Sequence, residues 1–339
     1  MSTVLDHRWS MAREGTYNTP VTTTRFYPML DDTDSDWDPR PRQSTAVQGG
    51  SGRRTDLGSR RYLTIGQGVI KLKAELESKG GGVLLDWGLG VSTVTSITGG
   101  SQQVFHLGIA GTLLPSATVQ VVKVLNDGTE TGSVETYSGC TATKVVIEQP
   151  EDDIPTIEVD VDARSLTTAT AAASAVYPTL PVLFDSVQGA IGLGGTLTAP
   201  TTTALATGLT TFAANFRSWK LEIDHSADIA RRVIGARNQP LIGKPGIKFS
   251  GKVEYNNTTL AAALVAGTKL PWYQTWTTTE TLGGGNTQLQ VVTPQLSLTK
   301  GLPKIKSGET TIQDLEADVT NDGTNRDVYV VIRTTDTVL

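Results

Sequence analysis

Few side chains in this 339-residue sequence have the types and spacing that chemistry requires. The three histidines, His7, His106 and His225, are far apart and form no HExxH or other paired-ligand motif typical of zinc sites. The single cysteine, Cys140, has no CxxC partner and no histidine near it in the sequence that would activate a thiol nucleophile. We therefore predict no metal site and no cysteine chemistry.

Adjacent carboxylates and glycine-rich segments are the remaining candidates for chemistry. Asp152 and Asp153 are able to act as an acid/base or cation-binding pair, but two neighbouring acids are more often a solvated turn. The segments GIAGT and GLGGT lack the strand-GxGxxG-helix pattern of a dinucleotide site, and no GxSxG elbow is present. We predict a protein that is not an enzyme, with no catalytic residues and no cofactor. A metal-dependent enzyme using the acidic pair is an alternative.

Composition and charge indicate a mainly β protein that does not bind nucleic acid generally. Glycine contributes 35 residues, and threonine and valine are abundant, which favours strands joined by many turns. The net charge of −5 is the wrong sign for a general nucleic-acid binder. Charged residues make up only 19%, which fits surfaces covered by other copies of the chain, although a threonine-rich β-sandwich has the same composition.

The cysteine content and the distribution of apolar residues indicate the conditions in which the chain folds. One cysteine excludes an intrachain disulfide, and no signal peptide or apolar stretch of transmembrane length is apparent. We expect a soluble chain that folds under reducing conditions and does not insert into a membrane.

An internal repeat organises the chain. Residues 70–90 recur at residues 247–267 with a constant offset of 177 (247 − 70 = 177). In each copy an alternating segment, IKLKAELE or IKFSGKVEY, predicts a strand with one buried face. The apolar segment that follows, VLLDWGLG or LAAALVAG, predicts a helix ended by Gly90 or Gly267. We interpret the chain as two copies of one module; chance similarity of two strand-helix segments is the alternative.

The regions around the repeat divide the chain into three parts. Residues 1–61 look irregular and acidic but carry five aromatic residues, so we predict an extended N-terminal arm and long loop that orders against another subunit. Folding back onto its own domain is the alternative. Residues 62–173 are the predicted first β module and residues 174–339 the second. Small polar tracts near Ala173 suit the linker between them, and residues 126–128 predict a hairpin turn in the first module.

The segment TIEVDVD predicts a strand with one apolar and one negative face, because acids alternate with Ile157, Val159 and Val161. The acidic face consists of Glu158, Asp160 and Asp162. An ordinary solvated strand face is the alternative.

Five segments, in this order, resemble the tail tube (major tail) proteins of long-tailed, siphovirus-type bacteriophages. They are EGTYNTPVTTTRFYPML, VIKLKAELESKGGGVLLDWGLG, TYSGCTATKVVIE with IPTIEVDVDAR, GKPGIKFSGKVEYNNTTLAAALVAGT, and IQDLEADV. They extend from Glu14 to near the C-terminus, while residues 31–38 and 190–215 have no counterpart in the resemblance. What this resemblance implies is a pair of tandem β-sandwich or split-barrel modules, each with a short flanking α-helix, whose inner strands line a channel for viral DNA.

The resemblance also implies an assembly. Six modules surround the channel in each ring, so three copies of a doubled chain complete a ring, with six copies as the alternative. Implied partners are the chain itself, a tape measure protein, a tail terminator and distal tail or baseplate proteins. DNA is expected to transit the lumen without specific binding, in a virion tail assembled in the host bacterial cytoplasm.

Two groups of residues receive roles in this interpretation. We expect Tyr17, Arg25, Phe26 and Tyr27 of the arm to make inter-subunit contacts. We expect the acidic strand to face the lumen, where its charge would repel DNA phosphates.

A different function class remains as the alternative. In it the chain is an adhesion or carbohydrate-binding β-sandwich, with Trp272, Tyr273 and Trp276 exposed as a stacking platform.

Overall fold

The computed structural model describes residues 7–31, 33–43, 61–109, 111–124, 134–179, 181–212, 215–229, 231–233, 236–304 and 310–336. The chain is mainly β, with 56% of residues in strands and 7% in helices, two α-helices and large antiparallel sheets, as predicted. The turn predicted at residues 126–128 lies outside the described residues.

Twenty-two strands and two α-helices are described. The first half contains β1 (Arg8–Arg13), β2 (Arg25–Pro28), β3 (Asp34–Asp38), β4 (Pro41–Gln43), β5 (Arg61–Leu63), β6 (Gln67–Glu75), α1 (Gly81–Leu89), β7 (Gly90–Ile97), β8 (Gly100–Leu107), β9 (Ser116–Val122), β10 (Val134–Gln149), β11 (Thr156–Ala163) and β12 (Ser165–Thr167). The second half contains β13 (Gly189–Thr198), β14 (Thr207–Thr211), β15 (Phe216–Asp224), β16 (Arg232–Val233), β17 (Ala236–Arg237), β18 (Gly246–Glu254), α2 (Thr259–Ala266), β19 (Leu270–Leu282), β20 (Gly285–Lys300), β21 (Ile312–Val319) and β22 (Tyr329–Thr334).

Both strand-helix pairs predicted from the repeat are confirmed. β6 and β18 alternate buried and accessible side chains, and each is followed by a short apolar helix. Gly90 (φ 97°) and Gly267 (φ 66°) take the left-handed conformation that ends α1 and α2. Side chains other than glycine are strained in that conformation, which explains the glycine at the same place in both copies.

The similarity extends to the whole pairing pattern. β10 pairs with β9, β11 and β12, and β20 pairs with β19, β21 and β22. β6 lies between β3 and β11 just as β18 lies between β15 and β21. β1 and β2 extend the sheet beyond β9, and β13 and β14 extend it beyond β19. The equivalent strands follow the same chain order, so two halves of one sequence form the same arrangement.

One sheet runs through both halves. Its strand order is β3–β6–β11–β10–β15–β18–β21–β20, and it is called the long sheet below. The antiparallel pairing of β10 with β15 joins the halves and is called the internal junction. Apolar residues on one face of the long sheet, such as Val145 and Ile223, are fully buried in a single core that includes both halves.

The N-terminal residues belong to this core. Trp9 of β1 is 0% exposed and stacks on Tyr27 of β2 with ring centroids 4.3 Å apart. β1 pairs with β9 and β3 pairs with β6. Of the two interpretations of this region, folding back onto the same chain fits the described strands β1–β3, because their aromatic side chains pack in or against the hydrophobic core.

Two polar tracts, the predicted linker near Ala173 and a second one near Ala206, are attached to strands β9 and β20. Buried glutamine side chains fix these tracts by hydrogen bonds to the backbone. Gln120 Oε1 accepts from the Ala173 amide at 2.7 Å, and Gln290 Oε1 accepts from the Ala206 amide at 2.8 Å. The hairpin of β7 and β8 from the first half adds to β22 of the second half, which ties the halves together a second time.

Candidate assembly surfaces

The face of the long sheet opposite the core is charged, and its strands alternate in sign. β6 and β18 present lysines, while β3, β11 and β21 present acids. The charged residues on this face are Asp34, Asp36, Asp38, Lys71, Lys73, Glu75, Lys144, Glu148, Glu158, Asp160, Lys220, Glu222, Asp224, Lys248, Lys252, Glu254, Lys300, Asp314, Glu316 and Asp318. Acids outnumber the lysines, and neighbouring strands neutralise one another in part.

Two contacts show how the strands are matched. Lys71 Nζ lies 3.1 Å from Glu158 Oε2, and Lys144 Nζ lies 3.2 Å from Glu222 Oε1 across the internal junction. Partial burial and the charge of Glu158 raise the pKa of Asp160 above its ordinary value. The face is therefore a ladder of ion pairs with a surplus of negative charge.

The predicted acidic strand is present, but its three acids do not share one environment. Glu158 and Asp160 lie on the accessible face, whereas Asp162 is 3% exposed. The loop between β15 and β18 covers that end of β11, and its Arg237 forms an ion pair with Asp162. Burial raises the pKa of Asp162, and the adjacent guanidinium opposes this effect. The alternating pattern could not reveal a covering loop 75 residues away.

The internal junction is held by backbone pairing, charge and the covering loop. Its register places Lys144 opposite Asp224 and Val145 opposite Ile223. The ring of His225, which follows β15, makes a 2.7 Å hydrogen bond to the Gly88 carbonyl in the last turn of α1. Burial lowers the pKa of His225, so the neutral imidazole is favoured there.

Each end of the long sheet has an open edge within the described residues. β3 pairs with β6 on one side only. β20 pairs with β19 up to Leu296, and after that residue only its β21 side is paired. Three acids of β3, Asp34, Asp36 and Asp38, are exposed at this edge. The sequence alone predicts an irregular, acidic segment here; the alternation in DSDWD is the signal that would have indicated a strand.

The four residues predicted to make inter-subunit contacts all contact their own chain. Phe26 is 3% exposed and packs edge-on to Tyr177 at 6.1 Å, and the Tyr27 hydroxyl donates to the Gly80 carbonyl at 3.0 Å. Arg25 lies 3.7 Å from Asp336, and Tyr17 lies under the Arg164 guanidinium at 5.4 Å. Burial raises the pKa of Tyr17 to about 12. An inter-subunit role for them stays a prediction.

The proposed aromatic binding platform is wrong. Trp272 and Trp276 are both 0% exposed, because the alternation of β19 directs them into the core with Gln274. Trp276 Nε1 donates to Gln149 Oε1 at 2.9 Å, and Trp272 packs edge-on against Trp219 at 4.9 Å. Only Tyr273 lies on the partly accessible face, and one ring does not make a stacking platform.

The residues considered for chemistry are placed as structural residues. Cys140 is fully buried, and burial raises the pKa of its thiol well above the ordinary range. Asp152 and Asp153 lie on an exposed turn. The described part of the chain contains no group of three histidine, cysteine, aspartate or glutamate residues arranged to hold a metal ion. Among its helices, neither is long and apolar enough to span a membrane.

Comparison with known protein families identifies the family of this chain. The sequence matches the family described as phage tail tube protein over residues 6–323, which is nearly the whole chain. The chain belongs to the phage tail tube protein family. No curated protein matches its sequence.

Membership of this family indicates where the protein acts. A phage tail tube protein is a structural component of the virion tail, so the open sheet edges are surfaces of a subunit that functions in an assembly. The resemblance stated from the five sequence segments is thereby confirmed at the level of the family.

Proposed function

We propose that this tail tube protein assembles with copies of itself into stacked rings, whose central channel delivers DNA into the host cell. The long sheet is the observation that carries the proposal. It consists of two equivalent four-stranded halves joined at the internal junction, with an open edge at each end of the described strands. Open edges are a liability for an isolated chain, and head-to-tail pairing between copies removes them.

Three chains per ring is the stoichiometry that the repeat favours. Residues 62–173, completed by strands β1–β3, and residues 174–339 then act as two modules, and three chains supply six. Eight strands per chain give a barrel of about 24 strands, and at about 4.8 Å per strand its circumference is at least about 115 Å and its diameter at least about 37 Å, both larger when the strands tilt. Barrels of 16–18 strands already hold an aqueous channel. Six chains per ring, the alternative, would double this circumference.

The charged face of the long sheet is the proposed channel lining. The apolar face is buried in the hydrophobic core, so the charged face is the one left for solvent. Its acids outnumber its cations, and the cations are lysines that pair with acids, such as Lys71 with Glu158. Such a surface gives DNA phosphates few free cations to bind, which favours passage over retention.

Further partners follow from a place in the tail. A tube needs a tape measure protein inside it during assembly, a terminator at one end and distal tail or baseplate proteins at the other. We propose these partners, assembly in the host bacterial cytoplasm and a siphovirus-type tail.

Electron microscopy of the purified protein tests the proposal. We expect hollow rings or tubes, and end-on averages with threefold symmetry whose appearance is close to sixfold. Averages with true sixfold symmetry would replace three chains with six. Monomers alone, at all protein and salt concentrations and in the presence of tail-tip nuclei, would refute self-assembly.

A further inference from the structure

We infer that the ring closes by pairing β3 of one chain with the last residues of β20 in the next chain, in the register of the internal junction. The same contact covers the apolar face of α2 with strand β5 of the neighbour. This inference rests on the proposed ring and adds which residues meet. The occupant of both open surfaces is a second copy of this chain.

The register on the β3 side follows from the repeat. Asp36 of β3 pairs with Val69 of β6, and Asp224 of β15 pairs with Gly246 of β18. Val69 and Gly246 are equivalent positions, because they differ by the repeat offset of 177 (246 − 69 = 177). Asp36 therefore occupies in the first half the place that Asp224 occupies in the second.

The register on the β20 side follows in the same way. Lys144 of β10 pairs with Asp160 of β11, and Ser297 of β20 pairs with Asp318 of β21. Asp160 and Asp318 each pair with the lysine at the same position of the repeat, on β6 or β18. Ser297 is therefore equivalent to Lys144.

Together these equivalences define the contact between chains. In the internal junction Lys144 lies directly opposite Asp224. Ser297 of one chain is then opposite Asp36 of the next. The pairing of β10 with β9 ends at Thr141, before the internal junction begins at Lys144. The pairing of β20 with β19 ends at Leu296, before Ser297. Within the described residues, positions 297–300 of β20 are therefore open on the side that corresponds to the first part of the internal junction.

Charge at the two edges is partly complementary. β3 exposes Asp34 and Asp36, and β20 ends at Lys300, which pairs with Glu316 of its own chain and in this register lies close to Asp34 of the neighbour. In the internal junction Lys144 and Glu222 already pair across the two strands. Opposite charges facing each other across an antiparallel pair favour one register and oppose shifted ones.

A second observation comes from the two helices. α1 is buried, and His225 from the β15–β18 connection closes over it by bonding to Gly88. α2 is equally apolar, yet Val265 is 81% exposed. A helix that is apolar all round is normally buried. The equivalent β3–β6 connection exposes Tyr62 (61%) and Leu63 (70%), which are suitable side chains to cover α2 of a neighbour.

Paired cysteines test the register. In Asp36→Cys/Ser297→Cys, oxidation or a short bis-maleimide is expected to link chains into dimers and closed trimers on a non-reducing gel. The native Cys140 is buried and gives little background. Asp38→Cys/Lys300→Cys is the out-of-register control and should link poorly. Lys144→Cys/Asp224→Cys is the positive control and should form an intrachain link that mass spectrometry detects. Its formation would show that this register brings two cysteines close enough to react.

The outcomes separate this inference from the proposed function. Rings that are visible by microscopy but link no better through Asp36/Ser297 than through the control pair would overturn the register and leave the tube intact. Unmodified protein that never forms rings would refute the tube itself.

A helix variant tests the second half of the contact. Val265→Glu should leave the melting temperature of the chain unchanged, because Val265 is exposed. It should raise the protein concentration required for ring formation at least tenfold. Thr202→Glu, exposed on a loop away from both open edges, is the matched control. Equal assembly of the two variants would show that α2 is not covered.

Discussion

Replacing Arg237 with methionine should destabilise the chain strongly at neutral pH and far less at pH 5. Arg237 is 0% exposed and pairs with Asp162, which is 3% exposed and also accepts from Gln67 Nε2 at 2.5 Å. Arg237 donates as well to the Ala163 carbonyl at 3.1 Å. Methionine fills most of the same volume and removes the charge, so a carboxylate is left buried without its cation.

Without Arg237, the Asp162 carboxylate can avoid being buried as a charge by taking up a proton. The free energy of that protonation limits how much stability the variant loses. Protonating a carboxyl group of ordinary pKa about 3.9 at pH 7 costs about 1.4 kcal/mol per pH unit, or about 4 kcal/mol. This sets the ceiling on the charge penalty and agrees with the 3–5 kcal/mol typical of broken buried pairs. At pH 5 the same ceiling is about 1.5 kcal/mol.

The sign is fixed by linkage. Burial raises the folded-state pKa of Asp162, and losing Arg237 raises it further. The folded variant then binds a proton that the unfolded chain lacks, so its stability increases as pH falls through the folded pKa and is fully recovered below the unfolded value.

Urea unfolding of the unassembled chain at pH 7 and pH 5 measures the effect. Arg237→Met/Asp162→Asn should recover most of the loss at pH 7, because no charge remains buried. Arg217→Met, which removes a solvent-accessible pair with Glu254, should change the unfolding midpoint little at either pH. A loss below about 1 kcal/mol for Arg237→Met at pH 7, or an equal loss at both pH values, would refute the reasoning.

Three further predictions concern buried groups. Trp276→Ala should lower the unfolding free energy by about 3–5 kcal/mol in urea, since it opens a cavity and leaves the Gln149 oxygen without its donor; an unchanged midpoint would contradict the buried placement. Cys140 should react with a thiol reagent only as the chain unfolds, and rapid labelling of folded protein would contradict its burial. Burial and Glu75 raise the pKa of Glu77 to about 7, so its stabilising effect as a neutral acid is present below about pH 4.5 and lost as pH rises through 7. Glu77→Gln should therefore stabilise the chain by about 1 kcal/mol at pH 8, after allowance for partial exposure, and have no effect at pH 4 on the same melting curves.

Local sequence pattern was sufficient for the repeat and for the elements it contains. Alternation predicted β6, β18 and β11, and glycine after an apolar run predicted the ends of α1 and α2. These signals depend only on residues that are close together in the sequence, so they can be recognised without knowledge of the tertiary structure.

Contacts between residues far apart in the sequence could not be predicted in this way. β1 pairs with β9 more than a hundred residues later, and nothing in RWSMAR specifies that partner. The burial of Asp162 depends on Arg237, and the burial of Trp272 depends on which face of β19 meets the core. Sequence alternation reveals that a strand has two faces, but only the tertiary arrangement decides which one is covered.

The doubled chain changes how the proposed ring closes. In the internal junction β10 and β15 are joined by a connecting chain, so their pairing is intramolecular and its effective concentration is set by chain length. Only three of the six junctions then depend on protein concentration. The asymmetry between α1, covered by its own chain, and α2, left apolar and exposed, is the expected structural result. Each chain carries one completed junction and the two separated halves of another.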